Sequence, residues 1–308
     1  MDKIKTNICS LNMIQNVTVV IRSSGERTEK LCYDIVCKQV PKEHIFLINI
    51  KPFSMAVKKN FEIGIEEGRK WTLALDADIL LKKNAVKDMI AAFEKLKDDY
   101  YIYQGYIYDK FYGEYRVGGP HLYRTSLLLE GIKHIPEEGT SFRPESETYF
   151  SMFKKGFHYY FDNQYYGIHD FEQNKIDIYR KFFLHAKKHE KHISRYLNFW
   201  KDALIKDEDF IVALRGVSDG LLYEGITYID IDFFNERSKY LLKDLNLDEK
   251  ERFIDLNNVD NYFKAVKKNK LVTKIIDSNN QLAEPWKIVV FLKRIYSFLK
   301  SKLKNTKK

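Results

Sequence analysis

Apolar positions along the first third of the chain fall into short runs separated by amphipathic stretches. Val17 to Ile21 is an apolar, β-branched run, the pattern of a buried parallel strand. It ends in the turn Arg22-Ser-Ser-Gly-Glu-Arg27, and Thr28 to Val40 then reads as a helix with Leu31, Ile35 and Val36 on one face and Pro41 as its stop. His44 to Ile50 is a second strand, Ser54 to Glu67 a second helix closed by Gly68, and Trp71 to Leu75 a third strand. Leu80 to Lys97 is expected to form a third helix. Strand, helix, strand, helix, strand is the order of a doubly wound α/β sheet.

Beyond this unit the pattern changes. Tyr101 to Tyr108 alternates as a strand does, and Tyr112 to Tyr115 with Gly118-Gly119-Pro120 reads as a turn region. Thr125 to Gly131 predicts a short helix. Pro144-Glu145 opens another that runs to Lys155, with Gly156 as its cap. After Asn174 the chain is expected to be mostly helical. These patterns predict a core over residues 1–170, a helical extension over 171–285 and a separate C-terminal helix over 286–308.

Composition narrows the classes. With 308 residues, 44% hydrophobic and 31% charged, the chain can bury a sizeable core and is not disordered throughout. Its net charge of +9 is concentrated: Trp286–Lys308 holds eight Lys/Arg and no Asp/Glu, leaving 44 basic against 43 acidic residues in 1–285. A balanced body weighs against a nucleic-acid binder. In the tail, Ile288, Phe291, Leu292, Ile295 and Leu299 alternate with Lys287, Lys293, Arg294 and Lys300. This is the pattern of an amphipathic helix suited to an anionic membrane surface, or of a helix docked on the body. Cys9, Cys32 and Cys37 complete no zinc pattern. The first residues lack a signal-peptide pattern, and no window is apolar enough to span a bilayer. A cytoplasmic location, peripheral to the membrane, is therefore expected.

Chemistry gathers where the third strand runs into Asp76-Ala77-Asp78. Ligands of open α/β sheets bind outside the carboxyl ends of strands. Two carboxylates two residues apart, with a small residue between, suit one hard Mg²⁺ or Mn²⁺ ion bridging a diphosphate. The alternative is that Asp76 or Asp78 only caps the following helix. His185 and His189 share a helical face but lack the Glu of a zinc motif, and with His192 they read as part of a solvated basic face.

The strand–Asp-Ala-Asp context, Lys59-Asn60-Phe-Glu-Ile-Gly64 on the preceding helix and the Glu145…Gly156 segment together resemble the family 2-type glycosyltransferases of the GT-A fold. The resemblance covers about residues 15–170. It implies a GT-A-like, Rossmann-like mixed sheet flanked by helices, with a mostly helical C-terminal region. It also implies a sugar transfer from a nucleotide-sugar, UDP-sugar foremost, to a glycan or lipid-linked acceptor in cell-surface polysaccharide synthesis, with inversion. Glu145 becomes the base, with Glu147 as the fallback. Asp76 and Asp78 become metal ligands, with His169 as a third ligand or as a loop histidine bonded to its neighbours. Arg22, Ser23, Glu26, Asn49, Lys59, Asn60, Asp76 and Ala77 become donor-binding positions. One departure stands out: Asn49-Ile50-Lys51 follows the second strand, where the family commonly carries acidic residues. The competing classes are a nucleotidyltransferase, for which Arg22 to Arg27 has only one glycine, and a non-enzymatic adaptor acting through its tail.

Overall fold

A computed structural model describes residues 13–251, apart from 139, 142, 226–233, 235, 236 and 239, together with residues 259–264. The chain divides into two compact units, Met1–Asp260 and Asn261–Lys308. The expected basic helix over 286–308 lies outside the described residues, as does Cys9.

The apolar runs form the strands they predict: β1 (Val17–Arg22), β2 (Ile45–Ile48) and β3 (Trp71–Asp76), with α1 (Glu29–Val36) and α2 (Phe53–Glu67) between them. Both helices are amphipathic. Leu31, Cys32, Ile35 and Val36 are buried on α1, and Ala56, Val57, Asn60, Phe61 and Gly64 on α2. Gly68, at φ +65°, ends α2 in the left-handed conformation that glycine adopts without strain. Gly64 is needed for a different reason, because a Cβ there would lie 2.3 Å from Thr72 Oγ1. β1 pairs in parallel with both β2 and β3, in a register that sets Arg22 beside Asp76.

Leu80 does not begin a helix. Ile79, Leu80 and Leu81 are all buried and form β4 (Ile79–Leu81), and helix α3 (Ala85–Phe93) starts only after Asn84. Three consecutive buried residues have no polar face to turn to water, so a short strand accommodates them where an amphipathic helix would not.

The expected turn region is also corrected. β5 (Tyr100–Asp109) pairs with an eleven-residue strand, β6 (Glu114–Arg124), which contains Gly118-Gly119-Pro120. The β5–β6 ladder shifts register between Tyr103 and Gly105, so Pro120 sits where pairing is already interrupted. After α4 (Leu128–Ile132) and α5 (Pro144–Lys154) comes β7 (His158–His169), a strand that the Tyr-rich sequence did not announce. The result is one mixed sheet of order β2-β1-β3-β6-β5-β7-β4, flanked by helices, an α/β fold of the expected class.

Val57 and Phe61 of α2, Leu128 of α4 and Met152 of α5 pack with Ala74, Ile102 and Tyr123 of the sheet into one core. A second core belongs to the helical region, α6 (Lys175–Ala203), α7 (Asp209–Leu222) and α8 (Leu241–Leu245). There Ile178, Phe182, Phe183, Trp200 and Phe210 close around Phe111. Gly216 and Gly220 let α7 approach the α6 backbone, since a Cβ would stand 2.6 Å from Tyr179 O and 2.5 Å from Phe183 O. No helix among the described residues is long and apolar enough to cross a membrane.

β4 and β7 meet as closely. A Cβ on Gly167 would lie 2.6 Å from Leu80 O. Gly167→Ala is therefore expected to separate these strands and to destabilise the protein by about 1–3 kcal/mol in chemical denaturation, and an unchanged midpoint would show that the strands are not so tightly apposed.

Candidate active site

Sheet register assembles the site. β1 and β3 bring Arg22 level with Asp76, β5 and β7 bring Asp109 level with His169, and β4 and β7 pair Ile79 with His169. The Asp76-Ala77-Asp78 turn is fixed by its backbone. The Ala77 N–H donates to Arg22 O at 2.9 Å, Thr28 Oγ1 donates to Ala77 O at 2.7 Å, and the Asp170 N–H donates to Asp78 O at 3.2 Å. Ala77 is buried and serves as a backbone link between the two acids.

The two carboxylates belong to different clusters. Asp76 accepts a hydrogen bond from Arg22 Nε at 2.8 Å. The same guanidinium donates to both oxygens of Glu145, at 2.9 and 3.2 Å. Tyr123 Oη also donates to Glu145 at 2.7 Å, and His121 Nδ1 lies 2.9 Å from it. Burial acts to raise the pKa of Glu145, but Arg22 and His121 outweigh it and hold the carboxyl well below its usual range. Asp76 is raised instead, by burial first, because the lowering influence of Arg22 is opposed by the nearby Asp78 and Glu145.

Asp78 faces the second cluster, where its Oδ2 lies 3.3 Å from His169 Nε2. His169 Nδ1 is 2.8 Å from Asp109 Oδ2 and 3.1 Å from Asp170 Oδ2. Arg116 Nε donates to Asp109 at 2.6 Å. Lys181, from α6, donates to Asp170 and stands 4.0 Å from Asp78. Burial opposes ionisation of Asp78, yet His169, Lys181 and Arg116 bring its pKa well below the usual carboxylate range. Asp109 is lowered in the same way, against its burial, by Arg116 and His169. Burial opposes the charged form of His169, but Asp170 and Asp78 raise its pKa well above the usual value.

Asp78, His169 and Asp170 each offer a ligand atom, and all three atoms lie within 4.8 Å of one another. Asp78 Oδ1 and Asp170 Oδ1 are buried without a hydrogen-bond partner, as expected of oxygens shaped to receive a cation. Asp170 also holds φ at +57°, a strained backbone for a residue other than glycine. The residues fit a divalent ion. Asp78 and His169 lie together with Asp170, while Asp76 is turned to Arg22.

A small open cleft of about 140 Å³ adjoins these clusters, lined by Arg22, Ser23, Ser24, Glu26, Asp76 and Asp78 with the apolar Ile48, Ile50, Phe53 and Ala56. Arg22, Ser23, Glu26 and Asp76 are therefore brought to one place. Ser23 Oγ donates to Glu26, and the Ser24 N–H donates to the same carboxylate at 2.6 Å. Burial first, and then Asp78, raises the pKa of Glu26. Other expected donor positions stay outside the cleft. Asn49 is exposed between Ile48 and Ile50, and Lys59 lies on the surface of α2, 3.8 Å from Glu62. Asn60 is fully buried with neither amide atom partnered, and it does not line the cleft. Glu147 is exposed and, two residues along α5, projects roughly opposite to Glu145. His185 is not on a free basic face, since its Nδ1 lies 2.8 Å from Tyr112 Oη; the side chains of His189 and His192 are outside the described residues.

Asp109, Arg116, Asp170 and Lys181 carry no sequence motif. Only Asp170 gives a signal, as an acid directly following His169 at the end of an aromatic stretch.

No family model matches the chain, and no curated protein matches it. Among solved structures, the chain is similar to a glycosyltransferase involved in the glycosylation of the major capsid of PBCV-1. That similarity has 12% identity and a TM-score of 0.37, over 51% of this chain and 96% of that one. It is also similar to residues 1–349 of S. aureus TarS, with 14% identity and a TM-score of 0.34, over 67% of this chain and 81% of that one. Likeness at this level carries no activity across to this chain.

The Arg22–Glu145 pair makes a pH prediction. Glu145 has a folded pKa below its ordinary value of 4.5, so the unfolded chain binds its proton more readily than the native state does. The resulting stability is complete above about pH 5 and is lost as pH falls through the carboxylate range. Glu145→Gln is expected to lower stability at pH 7 by about 3–5 kcal/mol, since it strips a buried guanidinium of one partner, and to flatten the loss of stability below about pH 5. Thermal denaturation from pH 3 to 7 checks both, and parallel pH profiles for the two proteins would refute the assignment.

Proposed function

We infer that the protein is a metal-dependent glycosyltransferase that moves a sugar from a nucleotide-sugar donor to a hydroxyl acceptor. The observation that carries this reading is the adjacency of two features at the carboxyl ends of the strands. One is the Asp78–His169–Asp170 group, with two buried unpartnered oxygens, and the other is a cleft holding Arg22 and Asp76. A divalent ion held by Asp78, His169 and Asp170 would neutralise the charge that builds on a departing diphosphate.

The chain's own groups supply the remainder. Arg22 lines the cleft, and its guanidinium, once released from Asp76 and Glu145, offers a rigid cationic fork to phosphate oxygens. Ser23, Ser24 and Glu26 present polar groups to the nucleoside end, and Phe53 and Ile50 give it an apolar wall. The cleft is smaller than the roughly 300–1,000 Å³ usual for ligand sites, so the sugar and acceptor lie in its open mouth. Proton removal from the acceptor falls to Glu145. While Arg22 is bonded to it, Glu145 is a weak proton acceptor. When Arg22 turns to donor phosphates, the main influence holding its pKa down is removed and the carboxylate gains basicity. Direct attack of the acceptor, with inversion, needs no protein nucleophile. A glycan or lipid-linked acceptor at a membrane surface is proposed on the sequence of Trp286–Lys308 alone.

UDP with Mn²⁺ is expected to raise the melting temperature, corresponding to about 2.7 kcal/mol at a hundred times Kd. Asp78→Asn should lose this metal-dependent shift. A panel of nucleotide-sugars tested for Mn²⁺-dependent hydrolysis identifies the donor, and no shift and no hydrolysis with any member, with or without metal, would sink the enzymatic reading.

A further inference from the structure

We propose that Lys181 is the resident cation of the Asp78–His169–Asp170 pocket, and that a divalent ion enters only by displacing its ammonium. This rests on the reading of that pocket as a metal site and adds how entry to it is controlled. Lys181 Nζ donates to Asp170 Oδ2, lies 3.3 Å from His169 Nε2 and stands 4.0 Å from Asp78 Oδ2. Each of the three potential ligands thus has the ammonium as a neighbour. A metal bound to the same atoms at about 2.0–2.6 Å would share that space with a like charge.

The lysine is well placed for exchange. Its backbone is fixed, because Ile178 and Phe182 on either side of it along α6 are buried in the helical core. Its side chain is 22% exposed, so the flexible stem has a path to water without movement of the helix. Its partners are fixed as well: Asp170 is 1% exposed and its N–H is bonded to Asp78 O at 3.2 Å. An ammonium leaves Asp78 Oδ1 and Asp170 Oδ1 without partners, whereas a divalent ion can draw on both oxygens of a carboxylate. A diphosphate arriving in the adjoining cleft adds negative charge and so favours the exchange. Metal and donor therefore bind cooperatively, and metal alone binds weakly.

The test is Mn²⁺ binding to the full chain without nucleotide, followed by the EPR signal of free Mn²⁺, for wild type, Lys181→Gln and Lys181→Arg. Lys181→Gln is expected to bind Mn²⁺ about tenfold or more tightly than wild type, because a like charge has left the pocket. Lys181→Arg, which keeps the charge, should bind no more tightly than wild type. Adding Asp78→Asn to Lys181→Gln should abolish the gain. Equal affinities for wild type and Lys181→Gln overturn the proposal, as does a gain that survives Asp78→Asn. Should Lys181→Gln fail to fold, tighter binding by Lys181→Arg, or wild-type Mn²⁺ affinity that UDP leaves unchanged, overturns it. Absence of both a UDP-dependent melting shift and nucleotide-sugar hydrolysis in wild type would sink the enzymatic reading and leave the Mn²⁺ comparison standing. Equal Mn²⁺ affinities would sink the exchange and leave sugar transfer standing.

Discussion

Only Ala77 and Asp78 separate the end of β3 from the start of β4, yet three strands lie between β3 and β4 in the sheet. Three Cα steps reach about 11 Å. Four strand spacings across a flat sheet would require about 19 Å. The sheet must therefore curl until its far edge returns to the carboxyl end of β3. That curl carries β7, and with it His169 and Asp170, to the Asp76–Asp78 turn. It also makes one short turn face two ways, with Asp76 toward β1 and Asp78 toward β7.

Concentrating carboxylates at such a junction obliges the protein to neutralise them locally, because a buried unpaired charge costs several kcal/mol. Arg22 serves Asp76 and Glu145 together, and Arg116, Lys181 and His169 serve Asp109, Asp78 and Asp170. In both clusters a protein cation is the partner of the buried carboxylates: Arg22 bridges Asp76 and Glu145, and Lys181 sits against Asp170 and Asp78. On the proposed reading, ligand binding would be an exchange of these partners.

The helical region takes part in this arrangement. Trp200 Nε1 donates to Phe111 O at 2.6 Å, two residues beyond Asp109, and Lys110 bridges Asp207 and Asp209 at the start of α7. The close α6–α7 packing at Gly216 and Gly220 stiffens the helix from which Lys181 projects. What reads in sequence as an uninformative helical third is the support for one of the site's cations.

Local pattern alone specifies the strands β1 to β3, the helices between them, the helix opening at Pro144 and, among the described residues, the helices α6 and α7 after Asn174. In each case a local period of apolar residues, or a Pro or Gly with a fixed backbone preference, suffices. The sequence also marked Asp76, Asp78, Glu145 and His169, since acids and a histidine at strand ends and helix starts stand out locally. Tertiary structure alone decided which of these meet. Asp76 and Asp78 part company because strand register gives one to Arg22 and the other to His169, and register is a property of paired strands. The strand character of Ile79 to Leu81 and of β6 likewise followed from neighbours distant in the chain, and so did the recruitment of Asp109, Arg116, Asp170 and Lys181. An isolated charged residue carries no local sign of the partner that burial will oblige it to find.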